Sequence, residues 1–178
     1  MDKLGRAKYK VVKNFLSQDE INLCAEYLKS KQRKCYDFAA DNINYDSGVY
    51  KDFLLDSILK IKKNKVEEEV GLRLNHTYSF WRCYTYKSTL DSHKDRPSCE
   101  YSVTIFVDAD KPDWPIYMEG KPVSLKPGDA VFYKGCELQH WREPYEGDYH
   151  FQFFLHYVNK DGPFADYKND KINDKQEL

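Results

Sequence analysis

Gly71 divides the chain into two textures, and the second is what most restricts the fold. From Leu72 onward Tyr, Phe, Trp, Val and Thr dominate in short runs, broken by turn clusters such as Lys111-Pro112-Asp113, Glu119-Gly120-Lys121 and Lys126-Pro127-Gly128-Asp129. Such runs read as strands, because β-branched and aromatic side chains pack on a pleated surface while Gly, Pro and Asp supply the backbone angles of a turn. The pattern predicts strands over 72–86, 100–108, 115–118, 122–126, 130–134, 138–142 and 149–158.

The first texture is helical. Ser17-Gln18-Asp19-Glu20 has the form of a capping box, and Ile21, Cys24, Ala25 and Leu28 follow at i, i+3, i+4, i+7, which places one apolar stripe on a helix near 18–31. Leu54, Leu55, Ile58, Leu59 and Ile61 make a second stripe within 50–70, and the charge run from Lys60 to Glu69 reads as its solvated face. Helices followed by a run of short strands imply an α+β, mainly β fold, with the N-terminal helices packed on one sheet of a β-sandwich or jelly roll. One domain over 1–160 is expected, with a polar, mobile tail over 161–178.

Charge narrows the function. With 28 basic against 29 acidic residues the formal net charge is −1, so no basic field exists to hold a polyphosphate backbone, and nucleic acid is disfavoured as a partner. No stretch approaches the roughly 20 apolar residues of a membrane helix, and the basic N-terminus lacks the apolar core of a signal peptide. A soluble, cytoplasmic protein is expected. Five cysteines without a CxxC pair (Cys24, Cys35, Cys83, Cys99, Cys136) read as thiols in a reducing compartment, and Asn75-His76-Thr77 reads as a chance triplet. The oligomeric state is left open.

His93-Lys94-Asp95 sets an imidazole and a carboxylate at i and i+2, which on an extended segment face the same side and can grip one ion. HxD triplets are common by chance. A third ligand is what gives this one weight, and His140 follows after 44 intervening residues, at the start of another predicted strand. Two His and one carboxylate occupy one face of an octahedral ion and leave three adjacent positions open, an arrangement suited to oxygen chemistry on Fe(II). Alone, His140 would read as a buried histidine satisfied by a carbonyl.

These residues resemble the Fe(II)/2-oxoglutarate oxygenase superfamily, within it the prolyl-4-hydroxylase-like branch. Arg82-Cys83-Tyr84 resembles the family's Tyr-bearing strand, Val103-Thr104-Ile105-Phe106-Val107 the next one, and Pro127-Gly128-Asp129-Ala130-Val131-Phe132 its PGDAxxF turn and strand. Spanning roughly Tyr78 to Val158 in the family's order, the resemblance implies a double-stranded β-helix, cupin-like in shape. It implies a catalytic triad of His93, Asp95 and His140 holding Fe(II), with 2-oxoglutarate as co-substrate and dioxygen as oxidant. Tyr84 and Thr104 would contact the co-substrate. The implied reaction hydroxylates a substrate C–H and releases succinate and carbon dioxide. The branch suggests peptidyl proline, while other peptides, proteins and small molecules stay open.

One departure stands out. The family supplies an Arg or Lys about nine to twelve residues after the distal His, to pair with the C5 carboxylate of 2-oxoglutarate, and here Tyr149-His150-Phe151-Gln152 offers none. His150, if protonated, and Arg82, on one strand face with Tyr84, are the candidates, ahead of Arg142 and Arg96. The missing cation keeps alive a second reading, a cupin-like metal-binding protein without 2-oxoglutarate turnover. Gln152, Phe154 and His156 share parity with His150 and are expected to line the barrel, His156 as a satisfied core histidine. Trp81, Trp114 and Trp141 are expected to supply packing area, and the loops 42–49 and 109–115 to cover the site.

Overall fold

The computed structural model describes residues 2–38 and 46–169. In chain order these form β1 (Tyr9–Val12), α1 (Gln18–Phe38), β2 (Asp46–Tyr50), α2 (Phe53–Ile61), α3 (Lys63–Val70), β3 (Leu74–Tyr84), β4 (Leu90–His93), β5 (Tyr101–Ala109), β6 (Ile116–Met118), β7 (Lys121–Val123), β8 (Ala130–Tyr133), β9 (His140–Arg142) and β10 (His150–Asn159). The strands make two antiparallel sheets, a large one in the order β1-β8-β5-β10-β3-β2 and a small one in the order β4-β9-β6-β7. Among the described residues no helix is long and apolar enough to cross a membrane.

Local chemistry starts α1 where the sequence indicates. Ser17 Oγ accepts from Glu20 N–H (3.3 Å) while the Glu20 carboxylate accepts from Ser17 N–H (2.8 Å), a reciprocal cap. The helix continues past the expected end to Phe38, through a Lys-, Gln- and Arg-bearing stretch with no apolar stripe but good intrinsic helix propensity. The single helix expected over 50–70 is two. β2 carries the chain through Tyr50, Asp52 caps α2 by accepting from Leu54 N–H, and the helix breaks at Lys62, whose ammonium reaches Glu20 on α1 at 2.7 Å.

The large sheet has two buried faces, which is why β5 and β10 are buried along almost their whole length. Trp81, Val103, Ile105, Ala130, Phe132, Phe151, Phe153, Leu155 and Tyr157 share a core with Ile21, Cys24, Ala25 and Leu28 of α1, Leu55 and Leu59 of α2, and Val66 and Val70 of α3. Each such side chain contributes about 1.5–3 kcal/mol relative to exposure. Tyr157 Oη also donates to Leu59 O (2.8 Å). On the opposite face Phe106, Val131 and Tyr133 meet Ile116 and Met118 of the small sheet. At the turn entering β8, Asp129 N–H donates to Lys126 O (2.9 Å) with Pro127 second and Gly128 third at φ +85°, a type II turn that requires a residue tolerant of positive φ at that position.

Three strands escape the sequence reading. β1 is a four-residue edge strand containing a lysine, β2 holds a glycine, and β4 (Leu-Asp-Ser-His) is mostly polar. β2 and β4 lack a strong local β signature and β1, Tyr-Lys-Val-Val, has one too short to stand out, and each is fixed by its pairing with a distant partner. Of the loop expected over 42–49, residues 42–45 lie outside the described residues and the rest belongs to β2. The tail expected from residue 161 is ordered through 169, where Asn169 N–H donates to His76 O (3.1 Å), and beyond that it lies outside the described residues.

Candidate active site

β4 and β9 pair so that His93 stands directly opposite His140, and their rings lie 4.3 Å apart. Asp95 follows just beyond the end of β4, its N–H donating to Gly135 O (2.9 Å). That short approach explains the glycine, because a Cβ at 135 would overlap Cys99 O and the Asp95 carboxylate. The triad therefore converges: His93 Nε2 is 3.4 Å and His140 Nε2 3.6 Å from the same oxygen, Oδ1 of Asp95.

The far side of each group is held as well. His93 Nδ1 is 2.7 Å from Asp91 O and His140 Nδ1 3.1 Å from Leu138 O. A carbonyl can only accept, so each Nδ1 carries the hydrogen and each Nε2 presents its lone pair to the centre. Ser102 Oγ donates to Asp95 Oδ2 (3.0 Å) and lies 2.9 Å from His156 Nδ1, which places a His156–Ser102–Asp95 chain behind the carboxylate. Burial would push the Asp95 carboxyl up, but its bond to His93, the neighbouring His140 and His156, and Ser102 together hold it below the usual range. The neighbouring Asp95 raises His93 despite partial burial, and burial lowers His140. A second cluster, Asp95, Cys99 and His156, shares the carboxylate, yet burial and the Asp95 charge push the Cys99 thiol up to about 12, so it stays protonated beside Tyr78 Oη (3.0 Å).

Neither a protein-family model nor a curated protein sequence matches the chain. Solved structures do. The viral collagen prolyl hydroxylase of Paramecium Bursaria Chlorella virus-1, in its 2-oxoglutarate complex, superposes with a TM-score of 0.62 at 12% identity, covering 87% of this chain and 97% of that one. A prolyl-4-hydroxylase of Pseudomonas putida gives 0.65 at 14% identity over 88% and 95%, and HygX of Streptomyces hygroscopicus, solved with nickel and 2-oxoglutarate, 0.67 at 10% identity over 89% and 85%. The chain has the fold of the 2-oxoglutarate/Fe(II) oxygenases. It resembles their prolyl-hydroxylase-like branch.

The residues at the oxygenase-like centre fit an iron ion: two imidazole nitrogens and one carboxylate oxygen converge, and a cleft of about 170 Å³ opens beside them. That volume admits a small acid and is below the range of drug-sized pockets. Arg82 and Tyr84 line the cleft, with the Arg82 guanidinium 4.6 Å above the Tyr84 ring. Thr104 lies deeper, fully buried, and its Oγ1 has no hydrogen-bond partner among the described residues.

The surroundings of His150 do not favour a protonated anchor. It stacks on Phe106 (4.5 Å, 16°) with the rings of Trp114 and Tyr145 at 5.0 and 5.4 Å, and burial together with the Arg142 charge pushes its pKa down to about 2. A histidine in that cage is neutral. The cation that is buried here is Arg142, ranked behind His150 and Arg82 on sequence, although its position two residues after His140 is a legible sign of a shared strand face. Ser102 and Gly135, which brace Asp95, carry no sequence signal of that role. The loop 109–115 braces a neighbouring loop rather than the cleft: Asp110 accepts from Asp148 N–H, Tyr149 N–H and Tyr145 Oη, and Trp114 Nε1 donates to Glu143 O.

Proposed function

We propose that the protein is an Fe(II)- and 2-oxoglutarate-dependent dioxygenase that hydroxylates an unactivated C–H bond, with a prolyl residue of a peptide as its substrate. The observation that carries this reading is the convergence of His93 Nε2, His140 Nε2 and Asp95 Oδ1 with both Nδ1 atoms pinned to carbonyls. When bound, iron with 2-oxoglutarate and dioxygen supplies the oxidant, and the co-substrate leaves as succinate and carbon dioxide. His93, Asp95 and His140 would hold the ion, and Ser102 with His156 would keep the Asp95 carboxylate ionised and oriented.

Tyr50, Phe80 and Phe154 form a continuous aromatic wall, with ring centroids 4.3 and 5.6 Å apart, on the side of the cleft facing the triad. A flat apolar ring such as that of proline packs on such a wall, which supports a prolyl substrate. One solved neighbour in fold, a prolyl hydroxylase of Trichoplax adhaerens, is a complex with a peptide of a hypoxia inducible factor. The competing reading, a metal-binding barrel without 2-oxoglutarate, drew on the missing cation after His140, and the buried Arg142 weighs against it.

Anaerobic titration of the Fe(II)-loaded protein with 2-oxoglutarate tests the reading. A visible charge-transfer band is expected in wild type and not in His140→Ala, followed in air by succinate formation stimulated by proline-containing peptides. Bound iron with no band and no succinate would refute the oxygenase assignment. Succinate formation indifferent to every prolyl peptide would refute only the substrate.

A further inference from the structure

Arg142 is 3% exposed, and its hydrogen bonds run only to neutral oxygens. Nη1 donates to Trp114 O (2.7 Å), Nη2 donates to the Gln152 amide oxygen (3.1 Å) when that amide is oriented so that its nitrogen reaches Ile105 O (2.8 Å), and the guanidinium lies 4.5 Å over the Trp114 ring. Among the described residues no carboxylate pairs with it. A guanidinium withdrawn from water without a counter-charge is strongly destabilising, a cost that an anion reaching it would relieve. Thr104 Oγ1 is a second sign, a fully buried hydroxyl that makes no well-formed hydrogen bond, with the Tyr133 phenol beside it.

Position narrows the anion. Along β9 Arg142 is two residues from His140, so their side chains leave the same face of the strand about 7 Å apart. Tyr84 and Tyr133, whose rings line the cleft at the triad, are the groups that act on the Arg142 charge. We infer that Arg142, with Thr104, holds the distal carboxylate of a 2-oxo dicarboxylic acid whose other end lies at the triad, so that the anchoring cation has moved from the last strand to β9. His150 fills the vacated place on β10 as a neutral ring packed among Phe106, Trp114 and Tyr145. A 2-oxo monocarboxylate of similar length would leave Arg142 unpaired, and the site therefore selects the dicarboxylate. This inference rests on the function proposed above for its ligand's identity, while the carboxylate site itself stands on Arg142 and Thr104.

Two measurements separate the two ideas. In the first, Fe(II)-loaded wild type, Arg142→Leu and His150→Phe are titrated anaerobically with 2-oxoglutarate and with 2-oxobutyrate. Wild type and His150→Phe are expected to prefer 2-oxoglutarate by about 100-fold, and Arg142→Leu to lose that preference while binding Fe(II) and 2-oxobutyrate as before. In the second, metal-free wild type and Arg142→Leu are melted with and without glutarate. The melting temperature of ligand-free Arg142→Leu should equal or exceed that of wild type, because an unpaired buried charge is gone, whereas stabilisation by glutarate should be seen in wild type alone. A dicarboxylate preference retained in Arg142→Leu overturns the anchor and leaves the oxygenase reading intact. Glutarate stabilisation that depends on Arg142, without any iron-dependent 2-oxo acid band in wild type, upholds the anchor and refutes the oxygenase. Absence of both effects in wild type overturns both.

Discussion

The two faces of β10 differ in what they are made of, although they belong to the same ten residues. Phe151, Phe153, Leu155 and Tyr157 point to the helices and enter a core of aliphatic and aromatic side chains, whereas His150, Gln152, Phe154 and His156 point into the barrel. The neighbouring strand repeats the division, with Val103 and Ile105 on the helix side and Ser102 and Thr104 on the other. Burial is near complete on both faces, so solvent does not explain the contrast. The helix face carries apolar surface alone and supplies stability. The barrel interior buries an arginine, three histidines and a poorly bonded hydroxyl and half-buries Asp95, groups that cost stability and become useful with a ligand.

If that division is right, substitutions on the two faces should fail in different ways. Phe153→Ala, on the helix side, should lower unfolding free energy by about 3–5 kcal/mol in chemical denaturation, with metal affinity unchanged at temperatures where the variant is folded. Next in size, His140→Ala should weaken Fe(II) or Co(II) binding by at least about 100-fold in a metal titration, with little change in metal-free stability. A helix-side variant that weakened metal binding as much as stability would break the comparison.

A pH titration sharpens it further. His150 and His156 are held neutral chiefly by burial, with pKa values pushed from 6.5 down to about 2 and about 4. As pH falls below 6.5 the unfolded chain takes up these protons before the folded one, so metal-free stability should decline between pH 6.5 and 4. Each histidine contributes a slope of up to about 1.4 kcal/mol per pH unit near the middle of that window, and the His156 share fades toward pH 4. His150→Phe should remove one of the two shares from a series of denaturation curves, and an unaltered slope would mean that the ring is already protonated in the fold. The smallest effect is expected at Ser102→Ala, which cuts the link between His156 and Asp95 and should weaken metal affinity about 10-fold without a comparable loss of stability.

Particular residues show how far the sequence could be read. The first helix, its cap and the strands β3, β5, β6, β8 and β10 were legible because they advertise themselves locally, through a capping box, an apolar period or a run of β-branched and aromatic residues. The HxD spacing and His140 were legible for a related reason, since ligand chemistry restricts both residue type and parity. β1, β2 and β4 were not, because a strand of four or five residues is defined by its partner. The cation was misread for the same reason. His150 stood at the expected distance along the chain, but charge in a buried site depends on neighbours, and Phe106, Trp114, Tyr145 and Arg142 converge on it from three different stretches.

The amino-acid sequence by itself determined the fold class, the split between a helical and a β-rich part, and three candidate metal-ligating side chains, since each follows from periodicity or from the donor chemistry of single residues. Only the tertiary structure decided that both faces of the large sheet are buried, that Gly135 and Ser102 serve Asp95, and that Arg142 is the buried cation while His150 is neutral. Those properties arise from pairing and desolvation between residues far apart in the chain, and neither has a local signature.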